Sequence, residues 1–288
     1  MIEIVPGRQY GFFTDTTLCI GCKACEVACK EWNLLPADGP GLTGNSYDNT
    51  AALSATSWRH VAFIEKIGDA SASSGQAPSA GSVQAGGRAT SMPPFQSNWL
   101  MMSDVCKHCE RAACLEACPT GALFRTEFDT VVVQQDICNG CGYCVPACPF
   151  GVIELDLLGD GKAHKCTLCY DRLKGGLEPA CAKACPTESI QFGELGDLQE
   201  RAGRRVGELL ERGVPEAYLY GGPGSPGATD DIGPLHAFFL LIDRPEVYNL
   251  PAAPSLPAKR VRPGLLAGLA TIAGLALAAA AAFAAGKE

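Results

Sequence analysis

The sequence predicts a loop-rich α+β protein built from two similar modules and closed by one C-terminal transmembrane helix. Three observations predict it. The sixteen cysteines fall into four groups of four, glycine and proline together supply 53 of the 288 residues (33 + 20), and Gly264 to Gly286 carries no charge. A chain that is 47% hydrophobic and 19% charged is not wholly disordered. It is also too long for a disulfide-stapled miniprotein. Its net charge of -8 argues against a nucleic-acid partner, because phosphate binding needs clustered Lys and Arg.

The cysteine groups are Cys19, Cys22, Cys25, Cys29; Cys106, Cys109, Cys114, Cys118; Cys138, Cys141, Cys144, Cys148; and Cys166, Cys169, Cys181, Cys185. Groups one and three read C-x2-C-x2-C-x3-C, and groups two, three and four end in Cys-Pro at Pro119, Pro149 and Pro186. This is the bacterial ferredoxin run, whose fourth cysteine serves the other cluster of a pair. The spacing follows from chemistry: a tight loop brings three thiolates to three iron corners, and a turn of helix carries the fourth thiolate toward a neighbour. Gly21, Gly140 and Gly142 permit positive φ inside these loops and leave N–H groups free to face sulfur. The modules are therefore ferredoxin-like and hold two clusters each.

Two other thiol chemistries compete. Cysteines two residues apart rarely bridge comfortably, and Met1 to Tyr10 lacks the apolar core of a secretory signal, so disulfides are not expected. Structural zinc is the stronger rival, although its knuckles are usually separated by a longer stretch and need no x3-C-P tail. With exchanged fourth ligands, groups two and three pair because Cys118 and Cys138 are 20 residues apart, and one pairs with four by remainder. The expected sets are Cys106, Cys109, Cys114 with Cys148; Cys138, Cys141, Cys144 with Cys118; Cys19, Cys22, Cys25 with Cys185; and Cys166, Cys169, Cys181 with Cys29. Group one lacks the final proline, and group four has eleven residues between its second and third cysteines, yet every ligand position is cysteine. Four 4Fe-4S clusters are expected, and no 3Fe-4S site.

The expected organisation is 10–67 with 159–196 as the module of groups one and four, 68–98 as a flexible insertion rich in Ser, Ala, Gly and Pro, and 99–158 as the module of groups two and three. A C-terminal extension follows over 197–258 and a transmembrane anchor over 263–286. Val131–Val133, Val152–Leu155 and Ser189–Phe192 read as strands. Asp197 to Arg212 places Leu198, Ala202, Val206, Leu209 and Leu210 at helical spacing, and His236 to Ile242 reads as a buried strand. The charge-free tail would run about 34 Å as a helix, which matches a bilayer core. Gly264 and Gly268 form a small-xxx-small pattern suited to packing on another membrane helix.

Several stretches carry a family resemblance: LCIGCKACEVACKEWN (18–33), YDNTAALSATSW (47–58), CNGCGYCVPACPF (138–150), KCTLCYDR (165–172), EPACAKACPT (178–187) and RPEVYNLP (244–251). On these the chain resembles the iron–sulfur (beta) subunits of membrane-bound respiratory formate dehydrogenases of the N/O type. The cysteine pattern is shared with beta subunits of many molybdopterin oxidoreductases, and the 47–58 segment and terminal anchor narrow the choice.

The resemblance implies an electron relay between a formate-oxidising molybdenum or tungsten pterin (alpha) subunit and a quinone-reducing cytochrome b (gamma) subunit. Groups one and four would face the catalytic subunit, and groups two and three the membrane. The alternatives are the beta subunit of a nitrate, polysulfide or sulfoxide enzyme, or a stand-alone polyferredoxin. The residues agree with a relay. Four histidines (His60, His108, His164, His236) and no spare cysteine offer neither a nucleophile with its base nor an open metal site, so no catalytic residue is expected. His60 and His236 read as packing or surface residues. Lys23, Lys107 and Lys165 adjoin ligating cysteines and would raise cluster potentials, unless solvent screens them. Lys259, Arg260 and Arg262 before the anchor would by themselves keep the globular part in the cytoplasm. The resemblance implies instead a periplasmic domain on the bacterial inner membrane, exported as a passenger of a partner with a twin-arginine signal.

Overall fold

A computed structural model describes residues 3–37, 41, 44, 47–65, 99–257 and 261–285; in the last stretch side chains are described at 264–280 and 282. The expected insertion at 68–98 lies outside the described residues, as do Lys259 and Arg260.

Tyr10–Asp15 has no polar/apolar alternation, which suits a strand covered on both faces. It forms β1, and all six of its residues are buried. In chain order there follow α1 (Ala24–Asn33), β2 (Arg59–Glu65), β3 (Trp99–Val105), α2 (Ala113–Glu116), β4 (Leu123–Arg125) and β5 (Val131–Val133). Then come α3 (Cys144–Ala147), β6 (Glu154–Leu155), β7 (Ala163–His164), α4 (Tyr170–Lys174), α5 (Ala180–Lys183), β8 (Ile190–Glu194) and α6 (Leu195–Glu211). The fold closes with β9 (Tyr218–Tyr220), β10 (Ala237–Leu241), a 3-10 turn at Pro245–Tyr248 and α7 (Val261–Ala285).

One four-stranded sheet, in the order β8-β1-β10-β9, organises the rest. β1 runs antiparallel to β8, from Tyr10↔Glu194 to Thr14↔Ile190, and parallel to β10, from Phe12↔Ala237 to Asp15↔Leu240. A parallel pair needs a long crossover, and here the crossover is the whole cysteine-bearing region. Gly11 has no substitute in this sheet, because a Cβ there would lie 2.0 Å from the His236 carbonyl oxygen. α6 lies on the sheet through Leu198, Ala202 and Leu209, which join Phe13 and Phe238–Leu241 in the largest apolar cluster.

The remaining strands are short hairpins around the cysteines. β2 pairs β3 from Arg59↔Val105 to Glu65↔Trp99, β4 pairs β5, and β6 pairs β7. α1, carrying Cys25 and Cys29, packs on α5, which carries Cys181; α2, carrying Cys114, packs on α3, which carries Cys144.

One expectation needs correction, and one stands only in part. Of Val152–Leu155 only Glu154–Leu155 joins a ladder; Val152 and Ile153 instead bury their side chains against the second cysteine group. The tail is a helix, but among the described residues no helix is long and apolar enough to cross a membrane. Its described side chains are exposed all round, including Leu265, Leu266, Leu269, Ile272, Leu275 and Leu277.

Candidate metal centres

β1 ends at Asp15, and the turn closed by Leu18 N–H to Asp15 O (3.2 Å) delivers Cys19. Gly21 then takes φ +66°, where a Cβ would meet Phe63 Cε1 at 2.6 Å and Met101 Sδ at 2.7 Å. Lys23, at φ +58°, turns the backbone into α1, and Cys25 and Cys29 lie on its buried face. Cys185 comes from the other end of the sequence, carried by the turn between α5 and β8. Cys19, Cys22, Cys25 and Cys185 line one cavity with Ser103, Thr187 and Ser189; its empty space is about 290 Å³, the open mouth included.

A second cavity, about 300 Å³ with its mouth included, is lined by Cys106, Cys109, Cys114 and Cys148 together with Lys107, His108, Val152, Ile153 and Lys165. Burial pushes the Cys29 thiol up, and Cys166, Cys181 and Cys169 add to the rise. Burial likewise takes Cys144 to about 11, with Cys138, Cys118 and Cys141 adding to it. Cys25 and Cys114 reach about 12, mainly through burial, eased by Arg59 at Cys25 and by Lys165 at Cys114. Cys118 goes the other way: burial opposes its ionisation, but the Thr120 hydroxyl and the N–H groups of Leu123, Thr120 and Ala122 hold it below the usual thiol range.

Such a crowd of buried soft donors suits an iron–sulfur or zinc centre and little else. Protein N–H groups already point at sulfur: Ala163 N–H donates to Cys138 Sγ at 3.5 Å, and Leu168 N–H to Cys166 Sγ at 3.3 Å. All sixteen cysteines are free of disulfides.

The cations beside the thiols are not alike. Lys107 is fully buried, bonds the Asp104 carboxylate and the Val105 carbonyl (2.8 Å), and lies 5.1 Å over the Phe239 ring. Lys165, also buried, donates to the carbonyls of Val131 and Cys166. Solvent does not screen these two, whereas Lys23 is partly exposed between Glu26 (3.3 Å) and Asp48 (3.4 Å).

Two residues escaped the sequence reading. His108 sits inside group two with Nδ1 accepting the Val131 N–H at 3.1 Å, so its proton is on Nε2, which is buried without a hydrogen-bond partner. Its place between two cysteines was the available signal. Arg59, buried at the start of β2, had no signal, since a lone arginine before an apolar run reads as a surface cap. His60, by contrast, is a packing residue bonded to Asp48 at 3.0 Å.

The description "4Fe-4S dicluster domain" matches residues 97–195, and "4Fe-4S binding domain" matches residues 16–32. The nitrate-inducible formate dehydrogenase iron–sulfur subunit of Escherichia coli (strain K12) is 38% identical over 84% of this protein and 72% of its own length. The protein belongs to the formate dehydrogenase iron–sulfur subunit family. The formate dehydrogenase iron–sulfur subunit of Haemophilus influenzae is 37% identical over 84% of this protein and 68% of its own length. The B subunit of the Escherichia coli anaerobic dimethyl sulfoxide reductase is 34% identical over 68% of this protein and 78% of its own length. As a formate dehydrogenase iron–sulfur subunit by family, the molecule is an electron-transfer protein whose cofactors are 4Fe-4S clusters, and the zinc alternative falls.

Proposed function

We propose that this protein conducts electrons from a formate-oxidising, molybdopterin-bearing catalytic subunit to a quinone-reducing cytochrome b subunit in a bacterial inner membrane. The observation that carries it is two sets of four thiols, Cys19, Cys22, Cys25 and Cys185 and Cys106, Cys109, Cys114 and Cys148, each lining a cavity of about 290 or 300 Å³. The proposed donor sets are Cys19, Cys22, Cys25 and Cys185; Cys166, Cys169, Cys181 and Cys29; Cys106, Cys109, Cys114 and Cys148; and Cys138, Cys141, Cys144 and Cys118. When bound, a 4Fe-4S cluster takes up and passes on one electron, at a potential set by charge, hydrogen bonds and burial.

The protein's own residues do the rest. The cysteines hold the irons in two modules, 10–67 with 159–196 and 99–158, while Lys107 and Lys165 place buried positive charge beside the thiolates. Lys165, whose partners are carbonyls, favours the reduced state and raises the potential at its site, whereas Asp104 offsets the charge of Lys107. The protein also keeps water from part of this sulfur set, since seven of the sixteen cysteines are buried and only Cys22 and Cys141 are fully exposed.

α7 is proposed as the attachment to the membrane, packed against partner helices. Support comes from its six exposed leucine and isoleucine side chains and from the charge-free run of the sequence between Gly264 and Gly286. The globular part is proposed to face the periplasm; proteolysis in intact spheroplasts tests this, and digestion only after lysis reverses it.

The complex purified anaerobically through this subunit is expected to contain about sixteen irons per copy beyond the haem iron of its cytochrome b and to reduce quinone when given formate. Sulfoxide reduction in place of formate oxidation would move the protein to the second reading, a sulfoxide-type partner, which the 34% identity to the dimethyl sulfoxide reductase B subunit supports. Far fewer irons, or none, would end both readings.

A further inference from the structure

Arg59 is 2% exposed at the start of β2. Its Nη1 donates to Ser103 Oγ at 3.0 Å and to the Ser103 carbonyl at 3.4 Å, and its guanidinium lies 4.8 Å over the Phe12 ring. Nε and Nη2 are buried with no hydrogen-bond partner. An arginine keeps its charge in any protein, and two unpartnered buried N–H donors are costly unless something accepts from them. β2, which begins with Arg59, packs on α1, the helix that carries Cys25 and Cys29. Although burial works to lower its basicity, Cys181, Cys25, Cys166 and Cys29 hold the guanidinium more firmly protonated than usual.

Those four thiols divide between two sites. Cys25 belongs to the cavity of Cys19, Cys22 and Cys185, while Cys29, Cys166 and Cys181 belong to the neighbouring donor set proposed above, with α1, which carries Cys29, packed on α5, which carries Cys181. Ser103 adds a directed link: its oxygen accepts from Arg59, which leaves its hydrogen for Cys25 Sγ at 3.2 Å.

We propose that Arg59 is a positioning residue shared by the two iron–sulfur sites of groups one and four, with Nε–H and Nη2–H donating to sulfur there and Nη1–H aiming the Ser103 hydroxyl at Cys25. This rests on the reading that those thiols hold 4Fe-4S clusters. A shared cation stabilises the reduced, more negative state of both clusters and raises both potentials together. A purely structural arginine, packed on Phe12, would leave the potentials alone.

The test uses the intact complex, with iron content and EPR-monitored redox titration of each cluster. In Arg59→Met, with iron retained, two of the four midpoint potentials are expected to fall by at least the equivalent of a tenfold change in the reduction equilibrium, about 59 mV for a one-electron couple. The other two hold still. In Ser103→Ala only one potential falls. Four unchanged potentials, or four that shift together, overturn the proposal, as does a Ser103→Ala protein in which neither or both of the pair move. If Arg59→Met loses iron, Arg59→Lys decides, since it keeps the charge but not the planar set of donors: smaller falls confined to the same pair support the proposal, and unchanged potentials overturn it. Failure of the underlying cluster reading shows separately, as missing iron in the unaltered complex.

Discussion

The carboxylate of Asp15, fully buried at the end of β1, takes the Nε–H of Arg205 at 2.8 Å across 190 positions of sequence. The same carboxylate accepts the Thr17 N–H (2.9 Å) and hydroxyl (2.6 Å), so one ion pair fastens α6 to the turn that delivers Cys19. Replacing Arg205 by Leu leaves that carboxylate buried without its cation. A loss of about 3–5 kcal/mol is expected, seen as a lower melting temperature and faster loss of iron; a melting temperature within a degree or so of the parent would contradict it.

The fourth cysteine of each group is expected to serve its neighbour. In Cys29→Ser the altered EPR spectrum should be that of the cluster also lost in Cys169→Ser, not the one lost in Cys22→Ser. An altered Cys22-type signal would return the fourth ligand to its own group.

Gly140 takes φ +72°, and a Cβ there would stand 2.4 Å from the Gly161 carbonyl oxygen. Gly140→Ala therefore meets backbone on backbone as well as a left-handed conformation costing about 1–2 kcal/mol. The β6–β7 hairpin and the Cys138–Cys141 loop should part, lowering iron content by one cluster in four. Gly176→Ala, at φ +67° with open space around it, isolates the conformational cost.

Burial lowers the His236 imidazole to about 4, although Asp129 at 3.7 Å opposes this. The unfolded imidazole titrates near the ordinary histidine value of about 6.5. Between those two values the unfolded state takes up a proton that the folded state refuses. Stability is therefore fully present above about pH 6.5, falls as the pH drops toward 4, and loses no more from this group below that. The whole effect is at most about 3 kcal/mol. The rate at which the visible cluster absorbance bleaches at pH 7 and pH 4.5 measures it, and His236→Gln should lose that part of the acid sensitivity.

Much of this was legible from residue order. Val131–Val133, the Ile190–Phe192 part of β8, the amphipathic α6 and the buried β10 all follow from apolar runs or hydrophobic period, local properties that a short window of sequence contains. The thiol chemistry was legible too, because spacing of two and three residues is imposed by the span of a tight loop and one helical turn. β1 was not: Tyr10–Asp15 mixes aromatic, glycine and acid, and it becomes a strand only because β8 and β10 cover both of its edges. Val152 and Ile153 left their expected strand because burial against the Cys106 group decides their place.

By itself the sequence determined that the cofactors are 4Fe-4S clusters and that the thiols come in four groups of four, because loop reach and donor type are written within a few neighbouring residues. Only the tertiary structure decided which cations share the interior with those sulfurs. Arg59 carries a charge that residue order would assign to solvent, and Lys107 and Lys165, which adjoin cysteines in the sequence, are buried where Lys23, in the same kind of position, is partly exposed. Folding puts them among thiols because electrostatic partners are chosen by distance in space, and separation along the sequence carries no record of that distance.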